Sequence, residues 1–257
     1  MAAQAAKRVL VVAGLGNGGG TGAASARFFA KNGYSVALIA RGADQVKKLA
    51  DEINEAGGNA APFPVASYSV DDISTAWNSI RSHYSAPNYS IRAAIFNVAH
   101  GVWKPFLEVT PQDVEESLQT NVAAAFAFAR EAILSFKEND IEEENGKRGA
   151  LIFTGATASV RGNVTTSAFA AGKHGRRALS QSLAKEFGKQ NIHVSHAIID
   201  GQIATDRQRK ANGPAWEKNQ DVRLSPESIA SSYFYLVNQD RSSWTWELDL
   251  RPAHEKW

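Results

Sequence analysis

The sequence predicts an α/β fold, a parallel sheet wound with helices on both faces. Short apolar segments alternate with longer segments of helical period along the whole chain. Most of the apolar segments carry little polar interruption, as strands buried on both faces do. The first of them, VLVV at 9–12, runs through a glycine-rich turn directly into a helical segment.

Six glycines lie between Gly14 and Gly22, and the helical segment 23–30 (AASARFFA) follows. A strand, a glycine turn and a helix in that order make a phosphate cradle. Glycines at 14, 16, 20 and 22 let the backbone approach a pyrophosphate, with Asn17 and Thr21 in the same turn. The free N–H groups and the dipole at the helix start favour its charge. A second buried strand is predicted at 35–40, then a helix at 43–56 stopped by Gly57-Gly58. A third strand falls at 60–65, with prolines better suited to its ends than its middle. The pattern Ile73, Ala76, Trp77, Ile80 makes 70–84 a helix. Residues 91–98 (IRAAIFNV) predict the fourth strand, and 111–136 a long helix. Val114, Leu118, Val122, Phe126 and Ile133 make that helix apolar on more than one side, which suits a core or a subunit contact. A fifth strand at 150–154, a long helix at 166–189 and a sixth strand at 192–199 follow. Ser225 as N-cap and Pro226 in the first turn open a helix over 226–238, and a last strand is predicted at 245–250. Ligands of such a sheet bind at the carboxyl ends of its strands.

Composition narrows the class. The 257 residues, 44% hydrophobic, suffice for one domain with a full core over 1–257. Lys and Arg number 28 against 26 Asp and Glu, so the net charge of +2 implies no nucleic-acid surface. With no cysteine there is no disulfide scaffold, thiolate nucleophile or thiolate metal site, and no metal is expected. The opening MAAQAAKR is too short and polar for a signal peptide, and no apolar run approaches a membrane span. A soluble cytoplasmic protein is expected. The charge-dense 137–148 (KENDIEEENGKR) reads as a solvated connector.

Several motifs, in order and at the right separations, resemble the short-chain dehydrogenase/reductase family from Val9 to about Leu250. Gly16-x-x-x-Gly20-x-Gly22 matches the family's TGxxxGxG cradle in spacing, with Gly14 and Leu15 marking a remodelled loop. Asn97-Val98-Ala99-His100 stands where the family has NNAG. Asn121 stands at the catalytic asparagine, and Phe169-Ala-Ala-Gly-Lys173 at the YxxxK pair. Asp200-Gly201-Gln202-Ile203-Ala204-Thr205 stands at PGxIxT. The resemblance implies a Rossmann sheet of about seven strands in the order 3-2-1-4-5-6-7. It implies a nicotinamide cofactor, held by the glycine turn, Asn97, Ala99, Lys173, Gly201, Ile203 and Thr205.

The cofactor's flavour is read at the end of the second strand. An acidic residue there bonds the ribose 2′-hydroxyl of NAD. Here Ala40 is followed by Arg41, which can grip a 2′-phosphate, so NADP(H) is expected. Asp44 nearby keeps NAD(H) possible. At the end of the third strand, Ser67 or backbone groups read the adenine.

For the chemistry, the resemblance implies a tyrosine acid, a lysine that lowers its pKa, a serine clamp on the carbonyl and an asparagine that holds a relay water. The chain keeps Lys173 and Asn121. Phe169, which cannot ionise, stands at the tyrosine. The serine falls near Ala156, with Thr157 beside it. Three readings follow. The chain is a reductase with another proton donor, for which His100 is a candidate. Or it reduces an imine, iminium or enone that needs no tyrosine acid. Or it holds cofactor without turnover, as a sensor or binding subunit. Trp103, Phe169 and Trp216 are candidate contacts to a small hydrophobic substrate, with 206–223 as a lid. The helices at 111–136 and 166–189 imply a homodimer or homotetramer.

Overall fold

A computed structural model describes residues 6–255. The leader MAAQA, which bears on whether a signal peptide opens the chain, lies outside the described residues. The strands are β1 (Lys7–Ala13), β2 (Ser35–Ala40), β3 (Asn59–Pro64), β4 (Tyr89–Phe96), β5 (Gly149–Thr154), β6 (Ile192–Ile199) and β7 (Glu247–Leu250). They form one sheet in the order β3-β2-β1-β4-β5-β6-β7, every pair parallel. That is the predicted fold and order.

Each face of the sheet carries its own core. On one, Ile73 and Trp77 of α3 (Val70–His83) meet Phe128 and Phe136 of α5 (Ala124–Lys137), with Leu179 of α6 (Ser167–Phe187). Trp77 and Phe128 meet edge to face at 5.2 Å. On the other, Phe29 of α1 (Thr21–Lys31) and Leu49 of α2 (Ala43–Glu55) pack beside Tyr233 and Leu236 of α8 (Pro226–Asn238). Residues alternate between these cores along each strand, so β2 and β5 are buried over their whole length and β1 from Val9 to Ala13.

The structure corrects four local expectations. The long helix of 111–136 is broken. An α-helix, α4 (Pro111–Leu118), passes through a π turn at Gln119–Ala123 before α5 begins. Asn121 sits in that turn, and its side chain is drawn to the backbone after β4. The helix predicted over 166–189 ends at Phe187 and tightens into a 3₁₀ turn at Gly188–Gln190. Pro64 closes β3 as expected, but Pro62 lies inside the strand, where it is tolerated because β3 is an edge strand. The connector 137–148 is only partly solvated: Lys147 is 2% exposed and donates to the carbonyls of Val237 and Gln239 at the end of α8. No helix among the described residues is long and apolar enough to cross a membrane.

Two histidines of β6 are buried, one of them beside a carboxylate. His193 stacks on Trp244 at 4.9 Å and faces the Thr245 carbonyl, while His196 meets Glu247 at 3.0 Å. Burial pulls both down from 6.5 to about 4. Their neutral forms belong to the fold, so the unfolded chain binds more protons between those pH values. Stability present above pH 6.5 should be lost as pH falls towards 4, by up to about 3 kcal/mol for each histidine. Thermal melts across pH 4 to 7 should show this fall, and His193→Gln should flatten it. A wild-type melting temperature flat over that range would contradict the burial account.

Candidate functional site

The site is built at the carboxyl ends of the strands. After β1 the chain turns at Gly14 (φ +94°), whose N–H donates to the Ile39 carbonyl of β2 at 3.0 Å. Its carbonyl accepts from Asn97 Nδ2 at 2.7 Å, and Asn97 N–H donates back to Ala13. The turns after β1 and β4 are thereby locked face to face. A Cβ on Gly14 would stand 2.6 Å from the Val98 nitrogen, and one on Gly22 would stand 2.2 Å from the Gly14 carbonyl. Gly16 and Gly18, both in the left-handed region, have open space around them. At the start of α1, Gly20 is the N-cap and no side chain caps the helix. The buried Thr21 hydroxyl lacks a hydrogen-bond partner among the described residues. Uncapped N–H groups, an orphaned hydroxyl and an open glycine turn fit a bound pyrophosphate.

One wall of this cradle was not read from the sequence. Asp206, the first residue of α7 (Asp206–Lys218), accepts from Asn17 Nδ2 at 3.1 Å and lies over Gly19. Thr205 caps α7 through its hydroxyl and lies beside Gly20. Ile203 pairs with Leu224 in an isolated parallel bridge, which joins the two ends of this segment. The segment 206–223, expected as a lid, consists of α7, kinked at Gly213 before Pro214, followed by a 3₁₀ turn at Gln220–Val222.

Two cavities flank the turn after β4. The first, about 950 Å³, is lined by Arg41, Ser67, Tyr68, His100, Glu116 and Gln119, among others. The Arg41 guanidinium lies over the Tyr68 ring at 5.3 Å, and burial raises the Tyr68 phenol above its usual range. Ser67 donates its hydroxyl to Asp72 at 2.6 Å and accepts from the Ser69 N–H at 3.1 Å, which leaves one lone pair for a ligand. His100 belongs to this cavity: its Nε2 lies 3.6 Å from Glu116, and Asn121 holds its backbone through both N–H and C=O. Ala99, between the two turns, is exposed.

The second cavity, about 700 Å³, is lined by Trp103, Ala156, Thr157, Phe169, Gly201 and Val222, with Arg161, His254 and Glu255 among the charged groups. Trp103 and Phe169 lie 5.3 Å apart. Two sequence expectations do not join here. His100 lies in the other cavity, turned towards Glu116, and Trp216 is not on this wall, where Val222 and the C-terminal segment stand instead.

Behind Phe169 lie two buried cations. Lys173, 5.6 Å from the Phe169 ring, donates from Nζ to the Thr154 carbonyl at 3.1 Å. Burial, and then the neighbouring Arg176, hold its amine well below the usual lysine range. Arg176 is fully buried. It donates to the Asn121 carbonyl at 3.0 Å, to Asn121 Oδ1 at 3.3 Å and to the Thr154 carbonyl at 3.2 Å, and rests on the Phe96 face at 4.7 Å. The sequence reading missed Arg176. Its only signal was its place three residues after Lys173, on the same helix face. Across the cavity, Thr157 donates its hydroxyl to Asp200, another residue that the sequence reading did not single out.

Known proteins share this architecture. The family described as short chain dehydrogenase matches residues 7–215. The chain is similar to the mouse 3-oxoacyl-[acyl-carrier-protein] reductase, 26% identical over 209 residues, which cover 81% of this chain and 82% of that one. It is also similar to carbonyl reductase family member 4 of Xenopus tropicalis, 26% identical over 231 residues, 88% of this chain and 90% of that one. Among solved structures, a short-chain dehydrogenase from Rhodopseudomonas palustris is 30% identical, with a TM-score of 0.76 over 95% of this chain and 98% of that one. An alcohol dehydrogenase from Thermococcus sibiricus, complexed with 5-hydroxy-NADP, shares the fold at a TM-score of 0.80 and 20% identity, over 97% and 98%.

The glycine geometry predicts unequal costs. Gly14→Ala should destabilise by roughly 2 kcal/mol or more, from strain plus collision with backbone. Gly16→Ala, with open space, should cost about 1 kcal/mol from conformation alone. Urea unfolding of the two variants distinguishes them, and equal costs would contradict the close approach of the two turns.

Proposed function

The chain belongs to the short-chain dehydrogenase family, and on that premise we propose that it is an NADP(H)-dependent oxidoreductase acting on a small hydrophobic carbonyl or alcohol. The observation that carries this reading is the glycine turn locked against Asn97, with Arg41 at the end of the adjacent strand. Bound there, a nicotinamide dinucleotide supplies or accepts hydride. The N–H groups at the start of α1 hold its pyrophosphate, with Gly14, Gly16, Asn17, Gly20, Thr21 and Gly22 shaping the turn. Arg41 pairs with the 2′-phosphate, and Tyr68 beneath it keeps the guanidinium in place. Ser67 meets the adenine. Asn97, Ala99, Gly201, Ile203 and Thr205 shape the nicotinamide end. Asp206 has to give up Asn17 or turn aside when an anion enters the cradle.

The substrate half is unusual in charge. In our reading Phe169 takes the place of the family's acid and supplies a flat apolar wall with Trp103. Lys173 orients the cofactor end of this pocket only if its amine leaves Thr154, and Asn121 is engaged by His100 and Arg176. The proton donor is therefore non-standard. His100 serves only a ligand that reaches across the turn after β4. The absence of an ionisable group at Phe169 also favours a second reading, reduction of an imine, iminium or enone. Phe126 and Leu134 on α5 are exposed, beside Leu183 and Phe187 of α6, and we assign this apolar face to a homo-oligomer contact. Trp216, on the outer part of the α7 lid, would reach substrate only on closure.

Calorimetry should give NADPH binding that Arg41→Ala weakens about tenfold or more, as loss of a charge-assisted pair does. NADH binding should change little. Equal losses would remove Arg41 as phosphate reader, and no binding of either dinucleotide would overturn the reading. With NADPH present, turnover of ketones, or of imines and enones alone, separates the two catalytic readings, and binding without turnover identifies a sensor. Phe169→Tyr should raise ketone reduction about tenfold or more by restoring an acid. No gain would show that the substrate oxygen is not presented to residue 169.

A further inference from the structure

The Thr157–Asp200 pair sits where β5 and β6 end side by side. Asp200 is 1% exposed, and three groups face its carboxylate. Thr157 donates to Oδ1. Arg251, from the segment after β7, lies 2.7 Å from Oδ2, and Arg161 lies 3.7 Å from it. The carboxylate accepts a hydrogen bond from Thr157 at Oδ1 and is ion-paired with both guanidiniums through Oδ2. A hydroxyl has one proton and two lone pairs, and Thr157 commits its proton to Asp200. What Thr157 presents to the cavity is therefore an acceptor.

The other polar groups there do not reverse this. Thr166 donates to the Asn163 carbonyl, and the remaining groups that can donate, Trp103, Arg161, Asn163, Gln202 and His254, are all exposed, with Arg161 turned towards Asp200. Beside Thr157 the wall is Ala156 and, across from it, Phe169, neither of which can donate from a side chain. Arg251 is also paired with Asp249, so two carboxylates face the two arginines, and hydrogen-bond polarity, more than net charge, sets what binds.

We propose that Asp200 is a positioning residue that fixes the Thr157 hydroxyl as an acceptor, so that the second cavity receives its ligand by an O–H donor, an alcohol in preference to the matching ketone. This rests on the reading of that cavity as the substrate site. It goes further in naming the form of substrate that is bound and the residue that selects it. A ketone offers only acceptor lone pairs and would face Thr157 acceptor to acceptor. Asp200 itself touches no ligand.

The test uses the full chain without dinucleotide and two probes of one shape, 1-phenylethanol and acetophenone, followed by calorimetry and by quenching of tryptophan fluorescence. Wild type should bind the alcohol about tenfold more tightly, the value of one well-placed hydrogen bond against a mismatched one. Thr157→Val should abolish the difference, and Thr157→Ser should keep it. Asp200→Asn offers Thr157 an amide donor and frees the hydroxyl proton for the cavity, so the preference should narrow or reverse. A merely structural role for Asp200 would weaken both probes alike. Because Asp200→Asn also removes the partner of Arg251, the threonine variants decide the matter if that protein unfolds. Wild type binding the ketone as tightly as the alcohol, or an unchanged preference in Thr157→Val, overturns the proposal. Failure of NADPH to bind would overturn the oxidoreductase reading alone, since neither probe measurement needs the cofactor.

Discussion

The contact on which the rest of the molecule depends is the one between the turns after β1 and β4. The Asn97 side chain donates to the Gly14 carbonyl, and the start of α1 reaches within van der Waals range of the same group through Gly22. No side chain larger than hydrogen fits at either glycine. The contact sets how far α1 stands from the sheet, and hence where its N–H groups point. It also sets the floor between the two cavities, because the chain leaves Asn97 through Ala99 and His100 to divide them. Arg41 reaches this arrangement through the pairing of β1 with β2, and Gly14 is bonded to Ile39, two residues before Arg41.

Burial governs the chemistry around the second cavity. Lys173 and Arg176 are both enclosed, and no carboxylate is bonded to either among the described residues. Their hydrogen bonds go to the carbonyls of Thr154 and Asn121 and to the Asn121 side chain. Burial first, and then the neighbouring guanidinium, hold the lysine amine down. The acidic group of the region lies on the opposite wall, at Asp200, and it too is enclosed. The pocket thus has an aromatic wall at Phe169 and Trp103, a cationic layer behind it, and a hydroxyl opposite whose direction a buried carboxylate dictates.

Much of this was legible in the sequence. Uninterrupted apolar runs such as SVALIA imply strands covered on both faces, and the glycine spacing implies a close approach of backbone. Those are local properties, carried by neighbouring residues. The parts that were not legible depend on partners brought together by the sheet. Thr157 and Asp200 are 43 residues apart and meet only because β5 pairs with β6. Tyr68 reaches Arg41 only because β3 lies beside β2. The π turn at Asn121 follows from its bonds to His100, 21 residues away. Arg176 is one of two adjacent arginines, and only its place three residues after Lys173 set it apart from Arg177. His100 and Trp216 were placed by their positions in motifs and segments, but side-chain direction took each of them elsewhere.

The central claim is that the glycine turn and the start of α1 form an anion-binding floor shaped for a dinucleotide. Amide hydrogen exchange of the protein with and without saturating NADPH tests it most directly. The account predicts slowed exchange confined mainly to residues 14–22, with a second protected stretch around Arg41. Unchanged exchange across 14–22 at saturating NADPH would contradict it.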